Sequence, residues 1–97
     1  MRIVWQAQAQ IELDAAIDYY YFQASIAVAT DFRNEVERVI KLLCTHTKLG
    51  IRVRHGARRL ILTGYPFDLI YRETQDSIVI VALAHQRRRP GYWVGRR

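Results

Sequence analysis

Residues 77–84 place the strongest constraint on the fold. They read Ser-Ile-Val-Ile-Val-Ala-Leu-Ala, so odd and even positions alike are apolar. Successive side chains of a strand point to opposite faces of a sheet, and this strand must therefore be covered on both faces and lie inside the sheet. The strand before it, Phe67–Glu73, alternates: one face carries Phe67, Leu69 and Tyr71, and the other carries Asp68, Ile70 and Arg72. We predict a hairpin of these two strands, closed at residues 74–76.

Two helices are predicted before these strands. The first follows helical spacing at Ala9, Leu13, Ala16, Ile17 and Tyr20, with Glu12, Asp14 and Asp18 on the opposite side. It should end near Gln23, and Ser25 suits the N-cap of the next helix. The second apolar stripe comprises Ala29, Phe32, Val36, Val39, Ile40 and Leu43, and this helix must stop before Gly50. The short link predicts an antiparallel helical hairpin.

The remaining segments complete the predicted order β-α-α-β-β-β. Residues 3–5 form a short strand, residues 51–57 a basic connection and residues 58–62 another strand. We predict an α+β fold in which an N-terminal helical hairpin packs on one face of a largely antiparallel, twisted sheet. The length of 97 residues suits a single domain, residues 1–97.

Charge is distributed unevenly along the chain. Residues 1–47 hold four basic and six acidic side chains, a balance of −2, whereas residues 48–97 hold eleven and three, a balance of +8. This asymmetry suggests an anionic partner, although a high charge can also serve solubility alone.

The basic charge is densest in a tail that follows the last strand. Arg87, Arg88 and Arg89 suit carboxylate or phosphate, and Tyr92 and Trp93 could stack on bases or anchor a protein interface. The alternative is that Trp93 folds back over the core and leaves the arginines solvated.

Three further basic residues belong to the same half of the chain. His85 could serve acid–base chemistry, as histidine side chains often do, or it could be hydrogen-bonded at a strand end. Arg58 and Arg59 point to opposite faces of their strand, so at most one of them can join the tail.

Other chemistries find no support in the sequence. The three histidines are scattered, the single cysteine stands alone and no glycine-rich phosphate loop is present, so we expect no metal and no cofactor. No segment approaches the roughly 20 apolar residues of a membrane span, and the N-terminus lacks the apolar core of a signal peptide. We therefore expect a cytoplasmic protein that is not bound to a membrane.

An ordered set of short motifs covers nearly the whole chain. The first helix spaces Ala9, Leu13 and Ile17 by four residues, and the second spaces Phe32, Val36 and Ile40 in the same way. Arg-Arg-Leu at 58–60, Tyr-Pro-Phe-Asp-Leu-Ile-Tyr-Arg at 65–72 and His-Gln-Arg-Arg-Arg-Pro at 85–90 follow. In this set the chain resembles the RelE/ParE superfamily of bacterial toxins, nearer the ParE-like branch that is often labelled plasmid stabilisation proteins.

The resemblance implies a toxin of a type II toxin–antitoxin module, bound by the acidic or amphipathic C-terminal segment of a cognate antitoxin. The antitoxin-binding residues are expected to be Leu13, Ile17, Tyr20, Tyr21, Arg52 and Arg54. The target-binding residues are expected to be Arg58, Arg59, His85, Arg87, Arg88, Arg89, Tyr92 and Trp93.

The resemblance leaves two main activities open. ParE-like members block DNA gyrase, whereas RelE-like members cut mRNA on the ribosome; in a nuclease the catalytic residues would be His85, Arg87 and Tyr92. Asp68 stands where a nuclease of this kind should have a cation, and no lysine follows Lys48. We therefore favour a gyrase inhibitor without enzymatic activity. The ribosome-dependent endoribonuclease is the alternative, and an inactive relative kept as an interaction module is a third.

Overall fold

The computed structural model describes residues 1–96. Its elements are β1 (Arg2–Trp5), α1 (Ala7–Gln23), α2 (Ile26–Thr45), β2 (Ile51–Arg52), β3 (Arg58–Ile61), β4 (Phe67–Glu73) and β5 (Ser77–His85). The strands form one sheet in the order β1-β5-β4-β3-β2, with β1 parallel to β5 and the other pairs antiparallel. The predicted α+β architecture, with a helical hairpin followed by a largely antiparallel sheet, is confirmed.

One prediction of local structure was wrong. The sequence predicts a basic connection over residues 51–57, but Ile51 pairs with Arg59 and Arg52 pairs with Arg58, which adds a fifth strand. Both residues of β2 are exposed. Two exposed residues carry no alternation from which a strand could be read.

The helical hairpin turns at Ser25, as predicted. The Ser25 hydroxyl accepts a hydrogen bond from the Val28 N–H at 3.1 Å and so caps α2. The backbone N–H groups of Ala24 and Ser25 both donate to the Tyr20 carbonyl, which closes α1 immediately before α2 begins. The two helices therefore lie side by side and cover the same face of the sheet.

The main core lies between the helices and the sheet. Its buried residues include Phe32, Val36, Val39 and Leu43 from α2, and Leu69, Tyr71, Ile78, Ile80 and Leu83 from β4 and β5. The Tyr71 hydroxyl donates to the Thr47 carbonyl at 2.8 Å and accepts from the Gly50 N–H at 2.9 Å. These bonds fix the connection from α2 to β2 against the edge of the core.

A second, smaller core covers the opposite face of the sheet. It comprises Ala57, Ile70, Val81, Ala82, Ala84 and Trp93. A β-bulge occurs beside it, since Ile70 pairs with Ala82 whereas Tyr71 pairs with Ile80. This second core explains why β5 is apolar on both faces, and it brings the tail onto the sheet.

Within residues 1–96, no helix combines the length and the apolar character that a membrane crossing requires.

Candidate functional site

The chain after β5 folds back across the sheet face that the helices leave open. The Gln86 N–H donates to the Pro66 carbonyl at 2.9 Å and the Arg88 N–H donates to the His85 carbonyl at 2.9 Å, which turns the chain at the strand end. Trp93 is only 5% exposed and lies in the second core. The expectation of Trp93 on a target-facing surface was wrong; the alternative, in which it covers the core, is what the structure has. The reason is that Ile70, Ala82 and Ala84 would otherwise expose an apolar sheet face to water.

Four arginines surround a concavity between the tail and the sheet, which we term the arginine pocket. The pocket has a volume of about 580 Å³, and its cationic residues are Arg54, Arg59, Arg88 and Arg89. Ile70, Ala84 and Trp93 supply apolar lining, and Asp68 is the one carboxylate among the lining residues that the structure describes. The pocket therefore carries a net charge of +3 when His85, which also lines it, is neutral.

Arg59 is the arginine that the sheet itself positions in this pocket. It pairs across the sheet with Ile70, so it shares the open face with the second core. Its Nε lies 3.9 Å from Asp68 Oδ2 and is buried without a hydrogen-bond acceptor among the described residues. Asp68 in turn accepts a hydrogen bond from the Gln86 side chain at 3.1 Å. The Arg59 Nε thus lacks an acceptor among the described residues, while the side chain as a whole is 40% exposed at the pocket.

Arg58 points away from this pocket, in agreement with the predicted alternation. It pairs with Tyr71, whose side chain lies in the main core. Its Nη1 donates to the Gly50 carbonyl at 2.8 Å and to the Lys48 carbonyl at 3.4 Å. Arg58 is one of the residues expected to bind the target, but it does not line the arginine pocket, and its guanidinium holds the connection from α2 to β2.

His85 ends β5 at the rim of the arginine pocket. Its Nδ1 accepts a hydrogen bond from the Arg87 N–H at 3.1 Å, and its ring meets Phe67 edge-on with centroids 5.0 Å apart. This geometry agrees with the interpretation of a histidine hydrogen-bonded at a strand end. The adjacent Arg87, Arg88 and Arg89 are exposed.

A cluster of Glu12, Tyr92 and Arg96 fastens the tail to the body of the protein; we term it the Glu12 cluster. Glu12 Oε2 accepts from the Tyr92 hydroxyl at 2.5 Å, and both Glu12 oxygens accept from the Arg96 guanidinium, at 2.8 and 3.1 Å. Glu12 also accepts from the backbone N–H of Leu83 at 3.1 Å, while Arg96 donates to the Val81 carbonyl at 3.0 Å. The pairing of β1 with β5 ends at Ile80. Glu12 and Arg96 therefore satisfy the backbone of β5 where β1 no longer reaches.

The Glu12 cluster also sets the environment of Tyr92 and Arg88. Burial, followed by the hydrogen bond to Glu12, raises the pKa of the Tyr92 hydroxyl well above its usual range. The guanidinium carbon of Arg88 lies 3.9 Å from the centroid of the Tyr92 ring, a cation–π contact. The position of Arg88 at the pocket thus depends on a tyrosine that Glu12 holds.

A second concavity lies on the other side of the molecule, between the helices; we term it the helix groove. Its volume is about 410 Å³ and its apolar lining residues are Trp5, Leu13, Ile17, Val36 and Ile40. Charged residues from both helices line it as well: Asp14, Arg33, Glu37 and Lys41. An apolar trough with charges of both signs fits an amphipathic peptide.

The six residues expected to bind an antitoxin do not form one surface. Leu13 and Ile17 line the helix groove, but Tyr20 packs inward, with its ring centroid 5.0 Å from Phe32 and 5.3 Å from Tyr65. Tyr21 is 48% exposed on α1. The other two residues, Arg52 and Arg54, are exposed in the β2 region, and Arg54 lines the arginine pocket.

The outer side of α1 presents apolar side chains that the sequence pattern did not bring to notice. Ile11, Tyr19 and Phe22 are 65%, 62% and 75% exposed, and their spacing of eight and three residues places them on one side of the helix. The apolar residues of α1 thus extend beyond the stripe that faces the core. An exposed apolar strip of this kind is typical of an interaction surface.

Residues 3–90 match a protein family described as the ParE toxin of the type II toxin–antitoxin system, parDE. The chain belongs to the ParE toxin family. It is also similar in structure to a chain of the chromosomal ParDE toxin–antitoxin system from P. aeruginosa, with a TM-score of 0.76 and 24% sequence identity, over 88% of this chain and 95% of that one. Among curated proteins, no sequence matches it.

The family match covers only part of the candidate site of this ParE toxin. The matched range includes the helix groove, Arg59 and the three consecutive arginines, but it ends at Pro90. Tyr92 and Arg96, which complete the Glu12 cluster, lie beyond it. Sequence reasoning missed this cluster because helical spacing placed Glu12 with Asp14 and Asp18 on the polar side of α1, and that side was expected to face water.

Proposed function

We propose that this ParE-family toxin acts by inhibiting DNA gyrase, that the tail forms the target-binding surface, and that a cognate antitoxin neutralises it. The observation that carries the proposal is the exposure of Arg87, Arg88 and Arg89 on a tail that the Glu12 cluster and the second core hold in place. A cationic surface on a fixed scaffold loses little conformational entropy when it binds a large partner. Gyrase is a bacterial cytoplasmic target, so the proposal places the toxin in the cytoplasm.

The state of the candidate catalytic groups favours inhibition by binding over RNA cleavage. RNA cleavage needs groups that are free to take and to give a proton. The Tyr92 hydroxyl donates to Glu12, and His85 Nδ1 accepts from the backbone of Arg87. Asp68 adds a negative charge to the pocket in which a scissile phosphate would lie.

The ribosome-dependent endoribonuclease is the second candidate because the arginine pocket lies on an open sheet face. Four guanidinium groups could neutralise the charge that develops on phosphate during cleavage. A toxin of this second kind should stop translation before it affects DNA topology. An inactive relative would do neither.

The proposed antitoxin occupies the helix groove and the outer strip of α1. Apolar side chains of an amphipathic segment would fill the space above Leu13 and Ile17. Acidic side chains are expected where the antitoxin approaches Arg52 and Arg54, and they should mainly speed association.

The deciding experiment is expression of the toxin without antitoxin, with DNA supercoiling and protein synthesis followed over time. We expect supercoiling to fail first, and purified toxin to block supercoiling by gyrase in vitro. Protein synthesis that stops first, with mRNA cut on ribosomes, would favour the second candidate. Normal growth with folded toxin present would favour the inactive relative.

Paired variants test which surface does what. Arg87→Ala with Arg89→Ala should relieve toxicity and leave antitoxin binding in place, whereas Arg2→Ala with Arg33→Ala, which removes the same charge elsewhere, should remain toxic. Phe22→Ser should weaken antitoxin binding and leave toxicity intact, because Phe22 is 75% exposed on the outer side of α1 and does not line the arginine pocket. Full toxicity in the folded Arg87 and Arg89 variant would contradict the assignment of the tail.

A further inference from the structure

We propose that the arginine pocket binds a phosphodiester group of a DNA strand, so that the toxin recognises nucleic acid directly and not protein alone. The first observation is the charge of the pocket. Arg54, Arg59, Arg88 and Arg89 line it against a single carboxylate, Asp68. Like charges are brought together here from the segment that follows β2, from β3 and from the tail, three separate parts of the chain. Their mutual repulsion is relieved when an anion enters.

The second observation is the unmatched donor in the pocket wall. Arg59 Nε is buried without an acceptor among residues 1–96, and the nearest carboxylate oxygen, Asp68 Oδ2, is 3.9 Å away. A buried donor without a partner costs about 1–3 kcal/mol. The Arg59 side chain as a whole is 40% exposed, so an oxygen of a bound phosphate can reach the outer part of its guanidinium, and arginine forks fit phosphate oxygens in pairs.

The third observation is the apolar and flat character of the remaining lining. Pro90 is exposed and Ile61 is 57% exposed at the pocket, beside Tyr92 and the buried ring of Trp93. Arg88 stacks over Tyr92 at 3.9 Å. Bases and sugars have flat or apolar faces that pack on such surfaces, whereas the side chain of a glutamate or aspartate offers little to pack. This favours a nucleotide strand over an acidic peptide.

The choice of DNA rests on the proposed function, since gyrase holds DNA where the toxin would act. The pocket is a concavity of about 580 Å³, which suits a single nucleotide unit of a strand. The exposed Arg87 and Arg89 at the rim would then meet neighbouring phosphates.

The test uses the purified full-length toxin and a fluorescent single-stranded DNA oligonucleotide, titrated over a range of salt concentrations. Arg54→Ala with Arg89→Ala should weaken binding about tenfold and reduce the slope of log affinity against log salt by about 1 for each lost contact. The matched control is Arg2→Ala with Lys48→Ala, which removes two charges from exposed positions outside the pocket and should change affinity less than about twofold. Arg59→Lys keeps the charge but removes the guanidinium fork, and the folded variant should bind the oligonucleotide more weakly. If Arg59→Lys does not fold, the double variant at Arg54 and Arg89 is the deciding test.

The competing ligands each have a defined consequence. Equal weakening by the two double variants would overturn the proposal, because only net charge would then matter. A mononucleotide or an oligoglutamate that competes as well as the oligonucleotide, or an RNA strand that binds more tightly than DNA, would also overturn it.

The failure of this inference and the failure of the proposed function are separable. DNA binding is measured without gyrase, and inhibition of supercoiling is measured in its own assay. DNA binding without inhibition would leave the pocket assignment in place and remove gyrase as the target. Inhibition of gyrase by a toxin that does not bind DNA would remove the pocket assignment and leave gyrase in place as the target.

Discussion

Replacement of Glu12 by alanine should loosen the tail and destabilise the whole domain. The carboxylate accepts four hydrogen bonds, from Leu83, Tyr92 and twice from Arg96. Without it, the backbone N–H of the buried Leu83 loses its acceptor, and the guanidinium of the largely buried Arg96 keeps only the Val81 carbonyl as a hydrogen-bond acceptor within residues 1–96. An unpaired buried donor costs about 1–3 kcal/mol and a broken buried ion pair about 3–5 kcal/mol. Water can reach part of this cluster, so we expect a loss of about 2–4 kcal/mol in the free energy of unfolding.

The assay is urea unfolding followed by circular dichroism, with Asp14→Ala as the matched control. Asp14 is an exposed carboxylate on the same helix, and within residues 1–96 it accepts a hydrogen bond only from the Gln10 side chain. Its loss should change the free energy of unfolding by less than about 0.5 kcal/mol. Glu12→Gln keeps an acceptor but not the charge, so its free energy of unfolding should lie between those of Glu12→Ala and Asp14→Ala.

A readout of the tail itself distinguishes anchoring from general stability. Trypsin should cut near Arg87 faster in Glu12→Ala than in wild type at urea concentrations where both remain folded, because the tail opens without global unfolding. Glu12→Ala that is no less stable than Asp14→Ala, with an equally protected tail, would refute the anchoring role of Glu12.

Two further perturbations follow from buried or paired polar groups. Tyr71→Phe should lower the free energy of unfolding by about 1–3 kcal/mol in the same assay, because the Gly50 N–H and the Thr47 carbonyl would both lose the hydroxyl; an unchanged midpoint would contradict this. The hydrogen bonds from Arg38 chiefly, and that from the Thr63 N–H, hold the pKa of Glu35 below its ordinary 4.5. A lowered folded-state pKa gives stability that is present above pH 4.5 and is lost as the pH falls through the folded pKa, so Glu35→Gln should flatten the acid limb of the stability curve between pH 7 and pH 3. An acid limb as steep as that of wild type would assign the acid sensitivity to other carboxylates.

The sequence predicted the elements whose side chains repeat over several turns or residues. The helical stripe around Phe32 and the alternation around Leu69 each extend over many positions. Each can be recognised from the spacing of apolar residues alone. The two-residue strand β2 is too short to repeat anything. Its existence depends on β3 lying beside it, which is a property of the folded chain.

The functional site was harder to predict because its decisive contacts join distant segments. Glu12 and Arg96 meet only because β5 continues past the end of β1, and no local pattern reveals where one strand outruns another. Trp93 could be placed on the surface or in a core with equal justification from its neighbours in sequence. What decides the matter is that the sheet face carrying Ile70 and Ala84 has no helix over it, so the tail is the segment that covers it.

The placement of the two surfaces constrains how an antitoxin could neutralise this toxin. The helix groove and the arginine pocket lie on opposite faces of the sheet, and the smallest dimension of the molecule is 21 Å. An extended chain spans about 3.3 Å per residue, so an antitoxin anchored in the groove needs at least about seven further residues to reach the arginines around an edge. An antitoxin that keeps fewer than about seven residues beyond its groove-binding segment should still bind the toxin but leave it able to inhibit its target. Binding measured by calorimetry, together with a supercoiling assay of the complex, separates the two effects. Full neutralisation by the shortened antitoxin would mean that occupation of the groove alone prevents inhibition of the target. The tail would then have to change its position when α1 is bound.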